Sequence, residues 1–309
     1  MNVAVIGIGG VGGYFGGKLT QLLSHDEKLK VYFIARNEHL REIQKNGLIL
    51  ETQEGTLHCT PTLAIDNPDE LPVLDFVMVC VKGYDLQSVL SSIKSKITAK
   101  TIVLPLLNGV DIYDRIKAIL PHATVLPSCV YVGTHIVRPG KVKQNGGVCT
   151  IHFGIDPKTN ESTQKITMLF DRANIKYNLT EEPEKEIWSK FIFIAAFGLV
   201  TANYDKTLGQ VLDNEDLKSK VLSIMNEILH LAKAKNVYLP ESIVVESIEK
   251  GRKFSHDTKT SFQRDYEIQG KKDERDIFGG AILSLSKQYN VEVPTTKKIF
   301  ESLNKKKIV

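Results

Sequence analysis

A chain of 309 residues, 42% hydrophobic and 25% charged, has an ordinary globular composition and length enough for two cored domains. Its net charge of +4 is mild; it suits small anionic ligands and gives no sign of a nucleic-acid or membrane partner. The four cysteines, Cys59, Cys80, Cys129 and Cys149, lack metal-ligand or paired spacing, so no metal site is expected and the thiols read as reduced and mostly buried. The opening MNVAVIG starts a strand instead of a signal peptide, and no apolar run reads as long enough to cross a bilayer, so a cytoplasmic protein is expected. The lysines at 305–307 read as a solvated tail.

Strand-like runs occupy 2–7 (NVAVIG), 30–36 (KVYFIAR), 75–82 (DFVMVCVK), 101–109 (TIVLPLLNG) and 124–133 (TVLPSCVYVG). Several are apolar on both faces, as strands of a parallel sheet covered by helices are. Amphipathic segments at 14–24 and 85–97 lie between them, and the alternation predicts a doubly wound α/β sheet. Turn residues within 138–154 predict a hairpin at the far edge of that sheet. Near 178–186 the texture turns polar. Beyond it helices are predicted around 185–200, 213–236, 241–254, 273–289 and 295–305, with Asp213 and Asp216 marking one start and Pro240 and Pro294 two others. The expected organisation is an N-terminal Rossmann-type domain over 1–180 and an all-helical C-terminal domain over 181–309.

VAVIGIGGVGGYFGGKL places Gly7, Gly9 and Gly12 at G-x-G-x-x-G spacing, with Gly10 and Val11 inside the loop. The spacing gains meaning from its setting, after a strand and at the opening of a helix. The first glycine allows the turn, the second lets a pyrophosphate approach, and the third lets helix and strand pack closely. At the end of the second strand an NAD site would carry an acid for the ribose hydroxyl. Here stands Arg36, with no acid until Glu38. A guanidinium fork matches a 2′-phosphate, which predicts NADPH over NADH; the alternative is a surface arginine paired with Glu38.

Within EKEIWSKFIFIAAFGLV (184–200), Lys190 enters an apolar run, with Ile187, Phe193 and Ile194 on its helical face. Two readings stand. It pairs with Glu186 four residues earlier, or it polarises a substrate carbonyl and protonates the alkoxide formed as hydride arrives. His135 and Trp188 are expected to be structural.

The GIGGVGGYFGGKL opening, the lysine of CVKGYD, the asparagine of LLNGV, the RPGKV segment, the W-x-K helix, and SFQRD ahead of an acidic motif and GG resemble the ketopantoate reductases (2-dehydropantoate 2-reductases) over nearly the whole chain. The resemblance implies NADPH-dependent reduction of 2-dehydropantoate to (R)-pantoate in pantothenate synthesis, often by a homodimer. It makes Lys190 the general acid, places Lys82 and Asn108 at the cofactor and active-site cleft, and gives Ser261 the substrate carboxylate. Read alone, these three are a strand-end lysine, a turn residue and a helix cap. Asp273 aligns with the family's active-site glutamate and Glu274 lies one place later, so either acid fills the role. The family's asparagines four and eight residues after the lysine are here Ile194 and Gly198. That makes the pocket more apolar and leaves Asn203 as the amide to compensate. The rival readings are a reductase of another 2-oxo or 3-hydroxy acid, and a non-enzymatic NADP(H)-binding sensor.

Overall fold

The computed structural model describes residues 1–154 and 160–308. It divides into two compact units, Met1–Leu107 with Ile112–Pro183, and Asn108–Asp111 with Glu184–Val309. The short segment 108–111 therefore groups with the helices, an assignment that no boundary drawn along the chain makes.

The first unit begins β1 (Asn2–Ile6), α1 (Gly10–Thr20), β2 (Lys30–Ile34), α2 (Asn37–Asn46), β3 (Leu48–Thr52), β4 (Gly55–Cys59), β5 (Leu63–Ile65), β6 (Phe76–Val79) and α3 (Leu86–Ile93). It continues β7 (Ile102–Pro105), α4 (Ile112–Ile119), β8 (Thr124–Val125), β9 (Ser128–Tyr131), β10 (Thr134–Arg138), β11 (Lys141–Gln144), β12 (Thr150–Gly154), α5 (Asn160–Arg172) and β13 (Lys176–Thr180). Six strands form one parallel sheet in the order β5-β2-β1-β6-β7-β8. The apolar runs explain the centre: every residue of β6 and β7 is buried, and so are Val3 to Ile6 of β1. The strand order reverses between β1 and β6, the point of a doubly wound sheet where a nucleotide crevice opens.

The expected far-edge hairpin over 138–154 does not form. Its two strands go to different sheets: β11 joins β10 and β3, while β12 lies between β9 and β13. The run 124–133 also splits, into β8 of the parallel sheet and β9 of the three-stranded one. Pro127 lies at the break and has no N–H to continue a ladder; its carbonyl instead accepts the N–H of Gly154 at 2.9 Å.

The second unit comprises α6 (Pro183–Tyr204), α7 (Leu208–Asp213), α8 (Glu215–Ala234), α9 (Ile243–Arg252), α10 (Ser261–Tyr266), α11 (Ala281–Tyr289) and α12 (Pro294–Ile308). A π-helical turn, Asp276–Gly280, leads into α11. Helix α6 is long and apolar enough in composition to cross a membrane, contrary to the reading of the sequence, but 78% of its apolar stretch is buried. Trp188 is packed edge-on against Phe191, which stacks on Phe278. The start of α8 differs from expectation: Asn214 caps it, accepting the Leu217 N–H at 3.0 Å, and Asp213 ends α7.

One buried acid ties two helices together. Glu227 of α8 accepts the N–H groups of Thr295 and Thr296 at 2.7 and 3.0 Å and the Thr296 hydroxyl at 2.6 Å. These are first-turn donors of α12, which have no partner within their own helix. Replacing Glu227 by alanine should strand them and cost about 2–4 kcal/mol, read as a lowered denaturation midpoint for the helical unit.

Candidate active site

In the first unit a cavity of about 510 Å³ opens at the carboxyl ends of β1, β2 and β6. Gly7, Gly9, Arg36 and Lys82 line it, as do His39, Asp66 and Asp85, which sequence reasoning had not singled out. Its size is that of a pocket for an organic ligand. The loop fits a phosphate: a Cβ on Gly9 would meet nothing within 4 Å, and the first turn of α1 carries no acidic side chain. Gly10, Val11 and Gly12 do not line the cavity. Their N–H groups belong to the first turn of α1, where the helix leaves such donors unpaired. The second and third motif glycines thus act differently, Gly9 by leaving space and Gly12 by packing against Gly7.

Arg36 pairs with Asp85 at 2.7 Å, a residue 49 positions away, and not with Glu38 as the simpler sequence alternative supposes. His39 accepts the Gly140 N–H on Nδ1 at 3.0 Å, which places its own proton on Nε2. Burial holds the His39 pKa below its ordinary value, so the ring is a neutral wall of the cavity.

In the second unit Lys190 is half-buried on α6, and its ammonium donates to Asn108 Oδ1 at 2.8 Å. Asn108 follows β7 by three residues, and Gly109 next to it takes φ of 131°, a turn that a side chain would strain. The two residues are 82 apart in sequence, and their contact is what the sequence could not provide.

The other expected site residues divide. Ser261 is the exposed first residue of α10, and the cap of that helix is Thr260, which accepts the Gln263 N–H at 3.2 Å. The Ser261 hydroxyl is therefore not the cap. Asp273 is occupied: its two oxygens accept Arg275 Nε at 2.9 Å and Nη2 at 2.8 Å, while Arg275 also reaches Asn304. Glu274 beside it is only 2% exposed. Asn203 does not compensate for the missing amides. It is buried on α6 thirteen residues beyond Lys190, which at helical rise is roughly 20 Å away. His135 bonds Asn145 at 2.8 Å, on an exposed strand. Among the described residues no cluster of three metal-ligating side chains occurs.

A parallel sheet with a phosphate-accepting glycine loop at its switch point, followed by a helical unit that fixes a lysine, defines a dinucleotide-dependent oxidoreductase of two units. The family model described as Ketopantoate reductase PanE/ApbA matches residues 3–157, and its C-terminal counterpart matches residues 183–307. The chain belongs to the ketopantoate reductase family, whose members use a nicotinamide nucleotide. It is 26% identical over 306 residues to an uncharacterized oxidoreductase, YkpB, of Bacillus subtilis, covering 98% of each chain. The crystal structure of 2-dehydropantoate 2-reductase from Porphyromonas gingivalis W83 is 28% identical, with a TM-score of 0.84 over 98% of this chain and 99% of that one. A ternary structure of D-mandelate dehydrogenase with NADH and anilino(oxo)acetate has a TM-score of 0.85 over 100% and 99% of the two chains, but at 19% identity it bears on the fold alone.

Proposed function

We propose that this protein reduces a 2-oxo acid with NADPH, with 2-dehydropantoate as substrate and (R)-pantoate as product, a step toward pantothenate. The observation that carries the reading is the ammonium of Lys190 held at 2.8 Å by the Asn108 amide oxygen. The amide oxygen is a neutral acceptor, so it orients the ammonium without cancelling its positive charge, which can act on a carbonyl oxygen. The nicotinamide nucleotide supplies the hydride when bound. Lys190 then stabilises the charge that develops on the ketone oxygen and gives it a proton. Gly9 and the first turn of α1 take the pyrophosphate, and Arg36 and Lys82 take the remaining anionic groups of the cofactor. Ser261, exposed and not used as a cap, is assigned to the substrate carboxylate.

We assign the active-site acid to Glu274, since Asp273 is paired through both oxygens with Arg275 and so holds the local backbone together. The two acids should separate experimentally. Asp273→Asn should mainly lower stability, by about 1–3 kcal/mol, because it breaks a buried ion pair; Glu274→Gln should mainly lower kcat, by about tenfold or more. Equal kcat losses in both would refute the assignment.

A second reading, a more apolar 2-oxo acid, rests on the helix face that carries Lys190. Continuing from the lysine, that face presents Phe193, Ile194 and Phe197, and Phe193 stacks on the half-exposed Phe254 at 5.8 Å. NADPH oxidation with 2-dehydropantoate and with a panel of branched and aromatic 2-oxo acids decides between them. A preference for 2-dehydropantoate supports the first reading, and a preference for another acid the second. Cofactor binding with no turnover on any acid would leave only a sensor.

A further inference from the structure

Asp85 stands where a helix usually caps itself. It precedes α3, in the N-cap position, yet its side chain makes no cap hydrogen bond. Its backbone is helical there, as the last residue of a 3-10 turn, Gly83–Asp85, that runs into α3, so the side chain is not committed to a cap. Here the carboxylate turns into the cavity wall and binds the Arg36 guanidinium at 2.7 Å, and it is the better buried partner, at 16% against 69% exposure. The backbone holds it there: the Asp85 N–H bonds the Lys82 carbonyl at 2.9 Å, and Ser88 donates to the Asp85 carbonyl at 2.9 Å. The charged side chains of the cavity wall are then Arg36 and Lys82 against Asp66 and Asp85, equal in number and opposite in sign. A wall balanced in this way gives a 2′-phosphate little net attraction.

We propose that Asp85 sets the cofactor preference by competing with the 2′-phosphate of NADPH for Arg36, so that the protein discriminates only weakly between NADPH and NADH. The inference rests on the reading of Arg36 as the 2′-phosphate ligand. The dianion must share the guanidinium with, or displace, a carboxylate bonded to its Nη2, and it must approach the like charge of that carboxylate. NADH lacks the phosphate and asks for neither. Asp85 is a positioning residue: it acts on the cofactor through Arg36.

The test is the ratio of dissociation constants for NADPH and NADH, measured by fluorescence titration of the full chain. Asp85→Asn keeps a good helix-start residue, so the fold should be retained. It should shift the ratio toward NADPH by about fivefold or more, the size of a released surface ion pair plus the lost repulsion. Arg36→Ala should shift it the other way, and Asp85→Asn in the Arg36→Ala background should move it less than about twofold, because the cation to be released is gone. An unchanged ratio in Asp85→Asn, or a shift toward NADH, overturns the inference. So does a full shift in the double variant. If Arg36→Ala leaves NADPH affinity intact, the 2′-phosphate reading itself fails, and this inference falls with it.

Discussion

Lys190→Ala should lower kcat about a thousandfold while leaving the dissociation constant for NADPH within about twofold of the native value. The size follows from the two tasks assigned to one group. A positioned general acid contributes about 10²–10⁴, and a fixed positive charge beside a developing oxyanion adds to that. The selectivity follows from where the residues lie. Lys190 belongs to the helical unit, whereas the glycine loop, Arg36 and Lys82 belong to the sheet unit. Lys190→Arg keeps the charge, but a guanidinium does not release a proton at neutral pH and its planar fork does not reproduce the ammonium's contact to Asn108. It should stay at least about tenfold below native. Asn108→Ala should fall between, since it removes the acceptor that orients the ammonium but leaves the acid. Single-turnover NADPH oxidation separates these losses from product release. Near-native turnover in Lys190→Ala would refute the mechanism.

What the sequence could convey was set by distance along the chain. The glycine loop is local, six residues from Gly7 to Gly12, and its role follows from its neighbours on either side. The central strands were legible because burial on both faces leaves an unbroken apolar run, as in FVMV of β6. Short or half-buried strands left no such trace: β5 has three residues, and β4 presents mostly exposed ones. Membership of the two smaller sheets was illegible, since nothing in the 138–154 segment says that β11 pairs with β10 and β3 while β12 pairs with β9 and β13. The site followed the same rule. Arg36 was visible from its place after a strand, but its partner Asp85 lies on another crossover. Asn203 has the amide chemistry but not the height on the helix, because thirteen residues of helical rise remove it from the lysine. Asp273 and Glu274 are adjacent in sequence, and nothing in the sequence says that the Arg275 guanidinium pairs with the first of them.

Gly12→Ala should abolish measurable cofactor binding, a loss of about a hundredfold or more, and should also lower the melting temperature. A Cβ on Gly12 would lie 2.1 Å from the Gly7 carbonyl oxygen and 3.1 Å from Cys80 Cβ. The closer neighbour is backbone at the end of β1, which has no rotamer to escape into, so the start of α1 must move off the sheet. Overpacking of this kind costs about 1–3 kcal/mol or more, and it carries the phosphate-binding turn away from the cavity wall formed by Gly7 and Gly9. Gly9→Ala is the informative contrast. Its added methyl meets nothing within 4 Å, so the fold has room for it, and the melting temperature should stay close to native. The methyl nevertheless occupies the space through which a pyrophosphate would approach, so cofactor binding should weaken by about tenfold or more. Calorimetry and cofactor titration on the two variants therefore distinguish a glycine needed for packing from one needed for a ligand. A native melting temperature in Gly12→Ala, or native NADPH affinity in Gly9→Ala, would contradict the division of labour read from the loop.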